Sequence, residues 1–272
     1  MTQGSATATG TDGDGVTDQR LTVITGAARG IGETTARRFS AGGDKIIIGD
    51  VLDDVGAETV AALEAGGGSA AYHNLDVTSE DSVNRFVDQV EKDHGPIDVF
   101  INNAGIMQDG STIEEFPMED HDRVWDVDYR GVYMCCRAVV PRMKERKRGV
   151  IGNVASMFGI QPYPVGAYSP AKTAVIALTE ILAAECGPYN VRVNSVSPGY
   201  VHTPMMQERF DQGIRSKDVM VRDSALGCMT EMQDVAEGIF FLCSDRAKAI
   251  TGTNLPVDAG VLVATPYNAY PK

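Results

Sequence analysis

Short runs of β-branched and apolar residues alternate along this chain with longer amphipathic stretches, and that alternation limits what it can fold into. The apolar runs fall at 21–25, 45–50, 70–75, 99–102, 150–155, 192–197 and 254–257. Segments with helical spacing lie between most of them, among others at 31–41, 55–65, 79–92, 120–147 and 171–186. Strand followed by helix, repeated, means parallel strands joined by right-handed crossovers. Ile46-Ile47-Ile48 is apolar on both faces of its strand, as expected where helices cover a sheet on both sides. The pattern predicts an α/β fold with a doubly wound parallel sheet. No composition break interrupts it after residue 20, so 20–272 is read as one domain. The Thr-, Gly- and Asp-rich stretch 1–19 is read as a disordered leader, with too little apolar surface to offset the entropy of ordering.

Charge and cysteine usage narrow the function classes. A net charge of −13 opposes nucleic acid or an anionic membrane as the main partner. No apolar run approaches the ~20 residues of a membrane-spanning helix. The N-terminus lacks the charged start and apolar stretch of a secretion signal. None of the five cysteines belongs to a Cys-x-x-Cys pair or has a His at zinc-ligand spacing. That points to reduced thiols in a cytoplasmic protein and to no metal centre. The cations crowded between Arg142 and Arg148 fall at the end of an expected helix, where the dipole favours them, and are read as a solvated helix end.

The first strand runs into Thr25-Gly26-Ala27-Ala28-Arg29-Gly30-Ile31-Gly32 and then a helix. Glycines there let the backbone turn tightly and approach a pyrophosphate, and a helix N-terminus offers free N–H groups to phosphate. Gly26, Arg29, Gly30, Ile31 and Gly32 are therefore candidate nucleotide-binding residues. The spacing is Gly-x3-Gly-x-Gly rather than Gly-x-Gly-x-x-Gly, and a ligand-free turn also fits it. Asp50 closes the second strand, where a carboxylate can accept from ribose hydroxyls and repel a 2′-phosphate, so NAD is expected over NADP. A turn-capping Asp is the alternative, and Arg29 is a cation that a 2′-phosphate could meet. Asp76-Val77 ends the third strand, where an adenine could lie. Asn103-Ala104-Gly105 ends the fourth, where small residues admit a cofactor, or simply make a polar turn.

Tyr168 and Lys172 are spaced to share one face of a helix start. A lone Tyr-x3-Lys is weak evidence, and its context carries the argument. Thr25–Gly32, Asn102–Gly105, Ser156 with Tyr168 and Lys172, and Pro198-Gly199-Tyr200-Val201-His202-Thr203 occur in this order, followed by Thr251-Gly252-Thr253 and Val257-Asp258-Ala259-Gly260. In these stretches the chain resembles the classical short-chain dehydrogenase/reductase family over nearly all of 20–260. The resemblance implies a seven-stranded Rossmann fold and a homotetramer. It implies that Tyr168 exchanges a proton with the substrate oxygen, that Ser156 orients that oxygen, and that Lys172 binds the nicotinamide ribose. It places Asn103, Val201 and Thr203 at the border of the nicotinamide and counts Pro198 and Gly199 among the cofactor-binding residues. A free tyrosine titrates near ~10, and Lys172 together with a positive nicotinamide ring is expected to pull that value down. Where many family members carry Asn, this chain has Asp128, which keeps the main-chain carbonyl but not the amide; turned inward, its charge would sit near Lys172 and alter the pH dependence.

Met107, Met157, Phe158, Tyr163, Tyr200 and Met205 are expected near the substrate, in a partly apolar pocket, although each could be plain core. The weakly periodic stretch 202–230 follows a strand end and reads as a flap or as an ordinary insertion. The expected function is an NAD-dependent oxidoreductase acting on a small-molecule secondary alcohol or ketone. The alternatives are an NADP-dependent 3-ketoacyl-carrier-protein reductase and a non-catalytic NAD-sensing protein.

Overall fold

A computed structural model describes residues 19–108 and 110–267 of the chain, so the expected leader lies, apart from Gln19, outside the described residues. In chain order the first half contains β1 Leu21–Thr25, α1 Gly30–Ala41, β2 Lys45–Asp50, α2 Asp53–Ala65, β3 Ser69–Asn74, α3 Glu80–His94 and β4 Val99–Asn102. The second half contains α4 Met118–Trp125, α5 Val132–Arg146, β5 Gly149–Val154, α6 Tyr168–Cys186 and β6 Val191–Pro198. After it come β7 Val201–His202, α7 Pro204–Asp211, α8 Lys217–Arg222, β8 Thr230–Glu231, α9 Met232–Cys243, β9 Asn254–Val257 and α10 Val261–Tyr267. Seven strands form one sheet in the order β3-β2-β1-β4-β5-β6-β9, every pair parallel. The doubly wound α/β sheet expected from the sequence is thus present, with β7 and β8 as a separate parallel pair.

Successive strand residues point to opposite faces and fill two cores. Val23, Ile47, Phe100 and Ile151 pack with α3, α5 and α6 on one side. Ile24, Ile46, Ile48, Ile101 and Val154 pack with α1, α2 and α9 on the other. Burying an aliphatic or aromatic side chain of this kind contributes about 1.5–3 kcal/mol. The sandwiching explains why Ile46-Ile47-Ile48 is apolar throughout. No helix among the described residues is long and apolar enough to cross a membrane.

The expected helix at 120–147 is divided. Between α4 and α5 the chain takes a wide π-helical turn, Asp126–Gly131, which turns Asp128 fully inward. Gly131 lies so close to Val77 that an added Cβ would sit 3.0 Å from it. The cations near the end of α5 are not merely solvated. Arg142 and Arg146 pair with Glu91 of α3, and Arg148 pairs with Asp98. The stretch 202–230 holds two short helices, each opened by a hydroxyl cap: Thr203 Oγ1 accepts from the Met206 N–H and Ser216 Oγ from the Val219 N–H.

Candidate active site

The site forms at the carboxyl ends of β1, β4, β5 and β6, where chain direction across the sheet reverses between β1 and β4 and a crevice opens. Gly26 follows β1 with φ +64°, a left-handed conformation, and a Cβ there would lie 2.7 Å from the Ala104 Cα. Asn103 fastens the same corner: its Nδ2 donates to the carbonyls of Thr25 and Gly26 at 2.9 Å. Its side chain buttresses the glycine loop instead of lying loose at the cofactor crevice, and Ala104 packs behind that loop. Gly30, Ile31 and Gly32 make the first turn of α1, whose N-cap, the exposed Arg29, supplies no side-chain hydrogen bond. First-turn N–H groups lack partners within a helix, so this uncapped end has donors to offer an anion.

Asp50 sits at the tip of β2, buried. Its Oδ2 accepts from the Ala28 N–H at 3.0 Å and its Oδ1 from the Leu52 N–H at 3.1 Å. The carboxylate therefore pins the glycine loop and still has lone pairs to receive hydroxyl donors. The uncapped helix end and this carboxylate together fit a dinucleotide. Asp76 Oδ1 is taken up locally by the N–H and hydroxyl of Thr78, and Val77 is buried against Gly131. Gly199 follows Pro198 at the end of β6 and donates to the Val257 carbonyl, Val201 is buried in β7, and Thr203 caps α7.

The proton-handling groups converge from β5, α6 and the π turn. Ser156, just past β5, accepts from the Phe158 N–H at 3.1 Å, and its hydroxyl acts on Tyr168 in favour of the phenolate. Lys172 lies one turn along α6, its Nζ 5.5 Å from the Tyr168 ring centre, and donates to the Val154 carbonyl at 3.1 Å. The same Nζ is 2.9 Å from Asp128 Oδ1, with side-chain exposures of 3% and 0%. Asp128 Oδ2 accepts from the Ile106 N–H at 3.1 Å. Burial works to lower Lys172, but the charge of Asp128 and the Tyr168 phenol outweigh it and leave the ammonium held above its ordinary value. Burial pushes Asp128 up against the pull of Lys172.

Tyr168 departs from expectation. Burial and the charge of Asp128 raise its phenol above the ordinary value, against lowering by Lys172 and by the Ser156 hydroxyl. The expected downward pull of Lys172 is present, but Asp128 offsets part of it.

Beside Tyr168 stands an aromatic wall. Phe158 stacks on Tyr163 at 4.3 Å between ring centres and meets Tyr200 and Tyr168 edge-on at 6.3 and 6.4 Å. The hydroxyls of Tyr163 and Tyr200 are 2.8 Å apart. Burial, followed by that contact, pushes the Tyr200 phenol well up. Met157 is buried beneath the wall, whereas Met107 and Met205 stand exposed outside it.

Sequence reasoning missed Gln108. Its buried Oε1 accepts from the N–H groups of Ala167 and Tyr168 at 2.8 and 3.2 Å. The available signal was negative: α6 begins after an alanine, which cannot cap it. The structure also gathers side-chain atoms of His73, Asp93 and His94 within 4.8 Å of one another, but the two imidazoles bond each other at 2.9 Å.

The profile of the family described as enoyl-(acyl carrier protein) reductase matches residues 26–262. The chain belongs to the short-chain dehydrogenase/reductase family. It is 32% identical to cyclopentanol dehydrogenase of Comamonas sp. (strain NCIMB 9872), over 90% of this chain and 98% of that one. It is 34% identical to a 3-oxoacyl-(acyl-carrier-protein) reductase, FabG, of Thermotoga maritima, over 90% and 98%. Among solved structures it resembles NAD+-bound xylitol dehydrogenase, with a TM-score of 0.85 and 31% identity, covering 90% of this chain and all of that one. The protein is thus an oxidoreductase of this family, and its fold is that of a nicotinamide-dependent enzyme.

Proposed function

We propose that this protein interconverts a cyclic secondary alcohol and its ketone with NAD as the hydride carrier. The observation that carries the reading is that Tyr168 and Lys172 stand one turn apart on α6, the ammonium 5.5 Å from the phenol ring, with a wall of aromatic rings beside Tyr168. When bound, the nicotinamide cofactor supplies hydride acceptance and return. Its phosphates would meet the first turn of α1, its adenosine ribose Asp50, and its nicotinamide the segments after β4 and β6. Ser156 holds the substrate oxygen, and Tyr168 takes the hydroxyl proton in oxidation or gives one in reduction. Lys172, fixed by Asp128 and Val154, holds the positive charge that favours the phenolate. Tyr163 and Tyr200, half-buried and backed by the buried Phe158, give an aromatic surface suited to a saturated ring, and the cyclopentanol dehydrogenase relative supports that choice.

Since the free Tyr168 phenol lies above its ordinary value, oxidation should rise with pH, while reduction, which needs the protonated phenol, should hold at lower pH. Kinetics with NAD and NADP across cyclic and acyclic alcohols and ketones test the reading. Tyr168→Phe should remove turnover while NAD still binds. Asp50→Ala should reduce the preference for NAD by roughly tenfold or more, the worth of a charge-assisted hydrogen bond. Unchanged cofactor preference would remove the NAD assignment, and tight NAD binding with no turnover on any alcohol would favour an NAD-sensing role.

The Thermotoga relative favours a second reading, an acyl-carrier reductase. A net charge of −13 opposes docking of an acidic carrier, and the NAD/NADP comparison separates the two. We further read 202–230 as a flap over the site, α5 and α6 as tetramer-forming helices, and the buried thiols as suited to a reducing cytoplasm. Exposed Tyr133 and Ile181 on α5 and α6 support the tetramer.

A further inference from the structure

The first turn of α6 carries Tyr168, yet nothing local caps it. Ala167 has no oxygen to offer, and the Tyr168 N–H belongs to a turn that lacks intrahelical acceptors. Gln108 fills that role from the segment after β4. Its side chain is 3% exposed, and its Oε1 accepts from both Ala167 and Tyr168. The same segment reaches the other half of the site. The Ile106 N–H donates to Asp128 Oδ2. A Cβ on Gly105 would come within 2.8 Å of Asp128 Oδ1 and 3.4 Å of Lys172 Nζ. Gly105, Ile106 and Gln108, three residues of one short segment, therefore meet the Tyr168 backbone and the Asp128–Lys172 pair together.

From this we infer that Gln108 is a positioning residue for proton transfer, setting where the Tyr168 phenol stands relative to Ser156 and Lys172. The inference rests on the reading of Tyr168 as the proton-transfer residue. Its physical basis is reach. The phenol oxygen is far out on a side chain whose backbone is held at the helix end, so a small tilt of that turn becomes a large displacement at the oxygen. A misplacement of about 1 Å can cost ~100-fold in rate. It also links the segment expected to border the nicotinamide to the residue that handles the proton.

The test uses the full chain with NAD and cyclopentanol, and 13C-tyrosine labelling to follow the Tyr168 phenol, assigned as the resonance missing in Tyr168→Phe. Gln108→Leu, which keeps the volume and loses the acceptor, should lower kcat by roughly 10- to 100-fold, with KM for NAD within about twofold of the parent. Gln108→Glu, which keeps an acceptor oxygen for the Ala167 and Tyr168 N–H groups, should restore most of kcat, whereas in Gln108→Leu the Tyr168 titration midpoint should move by about half a pH unit or more, because the phenol then shifts relative to Lys172 and Asp128. The titration needs no turnover, so it also decides the matter if cyclopentanol is a poor substrate, and Gln108→Ala takes the place of Gln108→Leu if that variant does not fold. An unmoved Tyr168 midpoint in Gln108→Leu would overturn the inference. So would equal loss in the Leu and Glu variants, or parental kcat in Gln108→Leu. If Tyr168→Phe itself turns over normally, the reading of Tyr168 fails instead, which is a separate result.

Discussion

At the scale of single residues, the buried Asp128–Lys172 pair sets this site's electrostatics. Removing one partner of such a pair leaves a buried charge uncompensated, at a cost of about 3–5 kcal/mol, so Asp128→Ala should lower the melting temperature markedly. Asp128→Asn keeps the shape and deletes the charge. That charge raises the Tyr168 phenol, so its loss must lower it, and alcohol oxidation should reach half its plateau at a pH lower by about one unit. A pH–rate profile of the variant that overlays the parent's would show that the carboxylate does not act on Tyr168. The identity of Asp128 was plain in the sequence. Its inward orientation was not, because the π turn that rotates it depends on packing between Gly131 and Val77, residues far apart in the chain.

At the scale of elements, the edge strand β3 and the end of α3 meet through the His73–His94 contact. Burial lowers both imidazoles. For His94 the nearby Lys45 and His73 lower it further, and Asp93 works the other way on both rings. The unfolded chain therefore takes up protons first as pH falls through about 6.5, and stability present above that pH is lost below it. The melting temperature should drop between pH 7.5 and pH 5.5, and His94→Gln should lessen the drop; equal slopes in both proteins would show that this contact does not titrate with folding. Most element positions were legible from periodicity, since sandwiched strands read as apolar runs and amphipathic helices as 3.6-residue stripes. Apolar periodicity alone starts α6 at 171, because the cap of its true first turn lies on the distant Gln108, and only the Tyr168–Lys172 spacing carried the helix back to 168. The helices at 204–211 and 217–222 carried readable caps, Thr203 before Pro204 and Ser216, but their apolar faces are too short to show a period.

For the whole molecule, the crevice between β1 and β4 ties cofactor binding to folding. A ligand that binds only the folded chain adds stability by mass action, about 2.7 kcal/mol at 100 times its dissociation constant. For a domain of this size that corresponds to roughly 5–10 °C. Thermal melts should show that rise with NAD and a smaller one with NADP at equal concentration; an equal or larger rise with NADP would count against Asp50 as the discriminator.

The sequence by itself determined the sheet, its parallel sense, and the placing of Tyr168, Lys172, Ser156 and Asp50 at strand or helix ends, because these follow from local periodicity and spacing. Only the tertiary structure decided which of these groups touch. Asn103 turned out to staple the glycine loop, Asp128 to pair with Lys172, and Gln108 to hold the start of the helix that carries Tyr168. Each is a contact between segments distant in the chain, fixed by how the elements pack.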